Sequence, residues 1–326
     1  MTYNFNNVFI NNKYSVLAST KYNPIIKNNV DKYFNDYYLR EKTIELAESK
    51  YQTTSINGLL NKLNLKSTDI DLLINSDLQN QILASTLCAS KVGIDTLGIY
   101  SACASFVEGI IIGAMFVDNA KNKVIVSSSS HNLVSEKQFR FPVEYGSIRK
   151  MVNTSTATGS ISVLLSNEKS NIRVESATIG KVIQTNHNDT NDMGSAMAPS
   201  CAEVIFKHLK QTNRRFNYYD LILTGDLGEF GLKIVYEYLK RKYKIDVNNI
   251  IDSGSIFYSD KNIYAGASGP VCLPLTLFDY IISLKKYRKI LIVGTGSLHS
   301  TLSSNLKLPM PGISHVVSLE VEYWYI

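Results

Sequence analysis

Cys103 is the residue of this chain best placed for covalent chemistry. It stands in SACAS (101–105), directly after a strand-like run and at the head of the apolar segment from Phe106 to Asn119. At a helix start the macrodipole and free amides lower a thiol's pKa and favour the thiolate. A small residue needed between strand and helix accounts equally well for the same cysteine, because isolated cysteines are commonly buried and inert. A cysteine nucleophile for acyl transfer also needs a base and oxyanion donors. Of the five histidines, His131 closes the SSSSH run (127–131) at a strand end, whereas His187 falls in a polar loop and His208 on a helix. His299 and His315 stay open as candidates. The second-half turns that face Cys103 read TGDLG (224–228) and AGASG (265–269), with no histidine in either, so the acyl-transfer set is incomplete there.

The elements that must position these groups come from a duplication. DLLINSDL (71–78) recurs as DLILTGDL (220–227), IYSACAS (99–105) as IYAGASG (263–269), KVIVSSSS (123–130) as KILIVGTG (289–296), and GSISVLLS (159–166) as GISHVVSLE (312–320), in the same order. Helix-like segments lie between them, at 43–63, 79–91, 106–119, 197–210, 232–241 and 273–286. Continuous β-branched runs alternating with helices imply strands covered on both faces, hence two similar α/β halves, residues 1–167 and 168–326, packed together. Ligands of open α/β sheets gather at the carboxyl ends of strands, which here means Asp77, Asp226, the 102–105 turn and the 127–131 turn.

Composition narrows the class. The chain has 326 residues, 44% hydrophobic and 19% charged, with 7 Pro and 18 Gly, enough to bury a large core and too apolar for disorder. The net charge of +6 is spread over the chain, its longest basic runs (240–244 and 285–289) being short, so an evenly solvated basic surface is expected and nucleic acid is not a partner. Four scattered cysteines without a C-x-x-C pair give neither a zinc site nor a disulfide framework. The N-terminus, MTYNFNNVFINN, lacks the charged start and apolar run of a secretory signal, which places the chain in the reducing cytoplasm as synthesised. The longest apolar stretch, 109–117, is about half of the ~20 residues that span a bilayer, so any membrane role is expected to be peripheral.

A duplicated α/β body with a strand, a cysteine and a helix resembles the thiolase superfamily, which includes the ketoacyl synthases. Within it, SSHN (129–132), KQFRFPVEYG (137–146), TSTATGS (154–160), DMGSAMAP (192–199), YDLILTGDLG (219–228) and YAGASG (264–269) resemble the stage V sporulation AD family of spore-forming Firmicutes. The resemblance implies a thiolase-like fold of two βαβαβαββ halves in five layers, α-β-α-β-α. It implies a non-enzymatic protein without a cofactor that binds dipicolinic acid and helps to move it, with calcium, into the developing spore. It further implies integral membrane partners of the SpoVA system, a forespore location peripheral at the spore inner membrane, and a homodimer paired through the strand near Cys103. The condensing enzymes' helper His then falls in the turn at 225–226, and their Asn in the turn at Ala267; this chain has neither. It also departs from the relatives at SIRKMVN (147–153) and at Pro270.

Dipicolinate is a flat aromatic dianion, so its site needs cationic or N–H donors and an aromatic wall. Arg140 is expected as a bidentate fork, with Phe139, Phe141 and Tyr145 as ring surfaces, although QFRF reads equally as a strand whose aromatics pack in the core. His131 and the amides near Cys103 would serve the second carboxylate, and Ser268 completes the set. Asp77 and Asp226, at equivalent strand ends, would sit near a common axis and hold calcium, or else cap turns and helices. Two other functions fit the chain: a Cys103-dependent acyltransferase resembling ketoacyl synthase III, and an architectural subunit of a membrane complex.

Overall fold

The computed structural model describes residues 1–18, 22–120, 122–139, 150–259, 263 and 265–323. Runs that are apolar at nearly every position become strands packed on both faces. In the first half Phe9–Ala18, Gly159–Ser166, Val124–Ser130, Leu72–Ser76 and Thr96–Gly98 lie side by side in that order. The second half repeats the order with Ile172–Thr178, Gly312–Val321, Lys289–Ser297, Leu221–Thr224 and Ile250–Asp252. Strand senses repeat as well. Leu72–Ser76 runs parallel to Val124–Ser130 as Leu221–Thr224 does to Lys289–Ser297, and the next neighbour is antiparallel in both halves. The two sets meet where Phe9 pairs with Arg173.

Five layers follow from which faces bury what. Val124, Val126, Ile290 and Ile292 share one core with Phe106, Val107 and Ile110 of the helix Ser105–Ala120, which therefore lies between the two sets of strands. On the far face of the first set, Leu73, Ile125 and Leu164 pack under the helices Ile44–Leu63 and Leu83–Val92. On the far face of the second, Ile222, Leu291 and Val316 pack under Met193–Gln211 and Gly228–Tyr243. The expected α-β-α-β-α order is thus present. The stretch 102–120 is long and apolar enough to cross a membrane, with a mean hydropathy of 1.4, but it is mostly buried. A helix covered by strands on opposite sides has no solvent face to keep polar.

Several expectations shift. The strand equivalent to Thr96–Gly98 is Ile250–Asp252, whereas IYAGASG contributes only Ala267–Ser268, paired with Ser155–Thr156 outside the main sheet. Ser127 to Ser130 belong to a strand rather than to a turn, and their side chains are buried. Lys137 to Phe139 end the helix Asn132–Phe139, so the strand reading of QFRF does not hold for its described part. The 273–286 segment is a short helix, Cys272–Thr276, that widens to a π-helical turn at Leu277–Ile281.

Candidate functional site

The Cys103 turn is held from both sides. Ala102 adopts φ 49°, in the left-handed region that a residue with a Cβ enters at a cost. The Ser105 hydroxyl holds the turn by accepting from Ser101 N at 2.8 Å and donating to Ala102 O at 2.7 Å. The strand Lys289–Ser297 presses against it at Gly296, where a Cβ would stand 2.4 Å from Ser101 O.

The buried carboxylate of Asp226 acts on Cys103 and favours the proton on its sulfur. Asp226 Oδ1 accepts from Thr295 Oγ1 at 2.6 Å and Oδ2 from Gly269 N at 3.2 Å. Burial pushes the thiol well above its ordinary value and the Asp226 charge pushes it further, while the Gly269 amide opposes them. Burial and the Asp226 charge thus oppose the helix start and weigh toward the inert alternative for this cysteine. Burial likewise pushes Asp226 up to about 7; the Asp252 charge adds to this, and the hydrogen bonds from Cys103, Thr295 and Gly269 offset part of it.

Cys103 opens onto a cavity of about 60 Å³, or about 620 Å³ counted out to its mouth. Hydroxyls of Thr154, Thr156, Thr190, Ser268 and Ser297 and the amide of Asn153 line it. Leu78, Tyr100, Phe139 and Met193 supply apolar and aromatic walls, and Ser135, Glu136 and His299 are also among the lining residues. Among the described residues no Lys or Arg lines it.

Of the expected site residues, Cys103 and Ser268 line the cavity, and Asp226 holds the thiol from behind. Arg140, Phe141 and Tyr145 lie outside the described residues. His131 is not among the lining residues: its buried ring packs between Tyr37 and Tyr51, with centroids 5.6 and 6.1 Å away, and Nε2 lies 3.1 Å from Tyr37 O. Asp77 is not among them either. Its Oδ1 accepts from Gln79 N and its Oδ2 from Ser85 N, both at 2.7 Å, which is the turn-capping role. Calcium takes several oxygens free to turn toward it, and the carboxylate oxygens of Asp77 and Asp226 are already engaged by protein donors. Of the two alternatives for Asp77 and Asp226, these hydrogen bonds favour the turn-capping one over calcium.

His299 is the lining residue whose role the sequence left open. The signal was in the duplication, because KVIVSSSS is followed by His131 and its counterpart KILIVGTG by Ser297, Leu298 and His299. Two histidines close equivalent strands, and it is the second that reaches the cavity.

This layered architecture with a cysteine turn above its central helix is the thiolase-like fold of condensing enzymes. 3-Oxoacyl-[acyl-carrier-protein] synthase III from Aquifex aeolicus VF5 covers 96% of this chain and 99% of its own, at a TM-score of 0.59 and 14% identity. Cerulenin-bound OleA of Xanthomonas campestris covers 96% and 98%, at a TM-score of 0.62 and 14% identity. Sequence gives the narrower grouping. The family model for stage V sporulation protein AD matches residues 1–320. Stage V sporulation protein AD of Bacillus subtilis (strain 168) is 36% identical over 296 residues, 89% of this chain and 87% of that protein. The chain belongs to the stage V sporulation protein AD family and has a role in sporulation.

Proposed function

We propose that this chain binds dipicolinate, pyridine-2,6-dicarboxylate, in the Cys103 cavity without turning it over, and passes it to membrane-embedded partners that carry it into the spore. The observation that carries this reading is the pairing of Cys103 with Asp226 under a cavity of hydroxyls and aromatic rings. A carboxylate stands in the turn where the resemblance to condensing enzymes puts a histidine, and it keeps the proton on sulfur. A neutral thiol is a poor nucleophile. The hydroxyls and the Asn153 amide are suited to carboxylate oxygens, and Phe139 and Tyr100 to a flat ring. Among the described residues the helix long enough to span a bilayer is mostly buried in the core, which fits membrane contact through partner subunits.

The active form in this reading is a homodimer. Thr96–Gly98 ends its sheet with all three residues exposed, and Leu97 and Tyr100 are each 42% exposed. An unpaired edge offers free N–H and C=O groups to a second strand. Sedimentation velocity reads this directly, and a monomer at micromolar concentration refutes it.

One observation favours a second reading. Cys103 and His299 line the same cavity, which is the minimum pairing for acyl transfer. Calorimetric titration with dipicolinate against benzoate, followed by incubation with acyl-thioesters and mass analysis of the Cys103 peptide, separates the two. Saturable binding selective for dipicolinate with no added mass is expected. An acylated Cys103 establishes the transferase instead, and a protein that binds neither acid and gains no mass leaves the architectural subunit.

A further inference from the structure

His299 is 8% exposed, and its Nε2 is buried without a hydrogen-bond partner although the residue lines the Cys103 cavity. A buried polar nitrogen left unpaired is costly, and its place on a cavity wall suggests a partner that arrives from the cavity. The ring is fixed on its other side. Nδ1 lies 3.2 Å from Ser297 Oγ, and Phe139 tilts against the ring with centroids 5.3 Å apart. Burial holds the imidazole below its ordinary pKa, so it is neutral near pH 7 and carries one N–H.

Ser297 can therefore support either tautomer. Its hydroxyl can accept from a protonated Nδ1, which leaves a lone pair on Nε2 facing the cavity, or donate to a bare Nδ1, which puts the N–H on Nε2. We infer that His299 reads the ligand: its Nε2–H, selected by the Ser297 hydroxyl, donates to a carboxylate of a small planar aromatic acid seated in the cavity. Where no lining Lys or Arg is described, a neutral donor of this kind binds a carboxylate without placing a fixed cation beside Asp226. Phe139, already against the imidazole, places an aromatic wall next to the same donor. The inference rests on the ligand-binding reading and adds to it the residue that selects carboxylates and the tautomer it uses.

The test is calorimetric titration of dipicolinate, picolinate and benzoate into the full chain and its His299→Leu, His299→Gln and Ser297→Ala variants, with melting curves for each. The imidazole 15N spectrum of the wild type is recorded with and without the tightest-binding acid. His299→Leu is expected to weaken binding by about tenfold or more, the cost of one hydrogen bond to a charged acceptor. His299→Gln, which keeps an N–H, should recover part of that loss, Ser297→Ala should fall between, and the spectrum should shift toward the Nε2–H tautomer on binding. If the wild type binds and His299→Leu binds equally well, or if the tautomer stays Nδ1–H in the complex, this inference fails while the ligand-binding reading stands. If the wild type binds none of the acids, both fail together. Should His299→Leu not fold, the glutamine and Ser297 variants and the spectrum decide.

Discussion

Cys103 heads a helix, and a helix start is worth about 0.3–1 kcal/mol to a negative group, less than one pKa unit. Complete burial shifts a group by up to about 3–5 units in the opposite direction; Cys103, half-buried on the cavity wall, feels part of this, and the carboxylate of Asp226 adds to it. Burial and Asp226 together outweigh the helix start, so the residue that looks most like a nucleophile in the sequence is expected to stay a thiol in the fold. Iodoacetamide at pH 8 should therefore modify Cys103 at least about tenfold more slowly than a free surface cysteine, in proportion to its small thiolate fraction. Asp226→Asn removes the negative neighbour while keeping the side chain's size, and should speed the modification several-fold as followed by mass of the Cys103 peptide. An unchanged rate in that variant shows that the carboxylate does not govern the thiol.

The contact between the strand Lys289–Ser297 and the Cys103 turn is made at Gly296, so a methyl group there tests an element rather than a side chain. Its Cβ would stand 2.4 Å from Ser101 O and 3.2 Å from Ala104 N, and neither main-chain atom can swing away. Gly296→Ala should cost about 1–3 kcal/mol by overpacking and also displace Cys103, weakening dipicolinate binding. Thr43→Ala is the control: Thr43 Oγ1 caps the helix Ile44–Leu63 by accepting from Leu46 N at 3.3 Å, and its loss should cost about 1 kcal/mol with no change in binding. Equal binding by both variants in calorimetry, with both destabilised in urea, sinks the claim that this contact sets the site. The strands that carry the duplication were legible because each contains a short aliphatic run covered on both faces, and three of the four repeated segments are equivalent strands. The fourth repeat misled, because IYAGASG resembles the cysteine turn in composition and not in place. The strand Phe9–Ala18, with its alternating FINNKYSV, carried no such two-faced signal. At the site, Cys103 and Ser268 were legible from their turns. His131 and His299 could not be told apart by position, since only packing against Tyr37 and Tyr51 turns one of them away from the cavity.

Across the whole molecule strand ends (Asp77, Asp226, Asp252) and helices (Glu48, Asp279) bury carboxyl groups, and this shapes how stability responds to pH. Glu48, Asp77, Asp226, Asp252 and Asp279 are all raised above the ordinary carboxylate range, chiefly by burial, Asp226 to about 7 and Asp279 to about 6. Unfolded, these groups lose their protons near pH 4, so above that value the folded state holds protons that the unfolded state has released. Stability then falls as pH rises through the folded pKa, by up to about 1.4 kcal/mol per pH unit for each group. His208 and His315 act in the other direction. Burial lowers both to about 4, so the unfolded chain takes up protons below about 6.5 that the folded chain refuses, and stability falls as pH drops from there. Between pH 4 and 6.5 the two effects oppose each other, whereas above 6.5 the histidines are neutral in both states. There the carboxyls, Glu48 among them at about 8, are opposed by the amino terminus of Met1, which Lys207 lowers to about 6; several carboxyls against one amine leave a net fall. Urea unfolding should therefore show lower stability at pH 8 than at pH 6.5. Glu48 accepts from Gln79 Nε2 at 2.8 Å and Ser129 Oγ at 3.2 Å, bonds that an amide oxygen can take over in part, while the negative charge of Asp77 disfavours its ionised form. Glu48→Gln should flatten the decline by on the order of 1 kcal/mol and leave the acid side of the curve in place. A wild type whose stability is level from pH 6.5 to 8, or a variant with an undiminished slope, shows that these carboxyls ionise in the fold at their ordinary values.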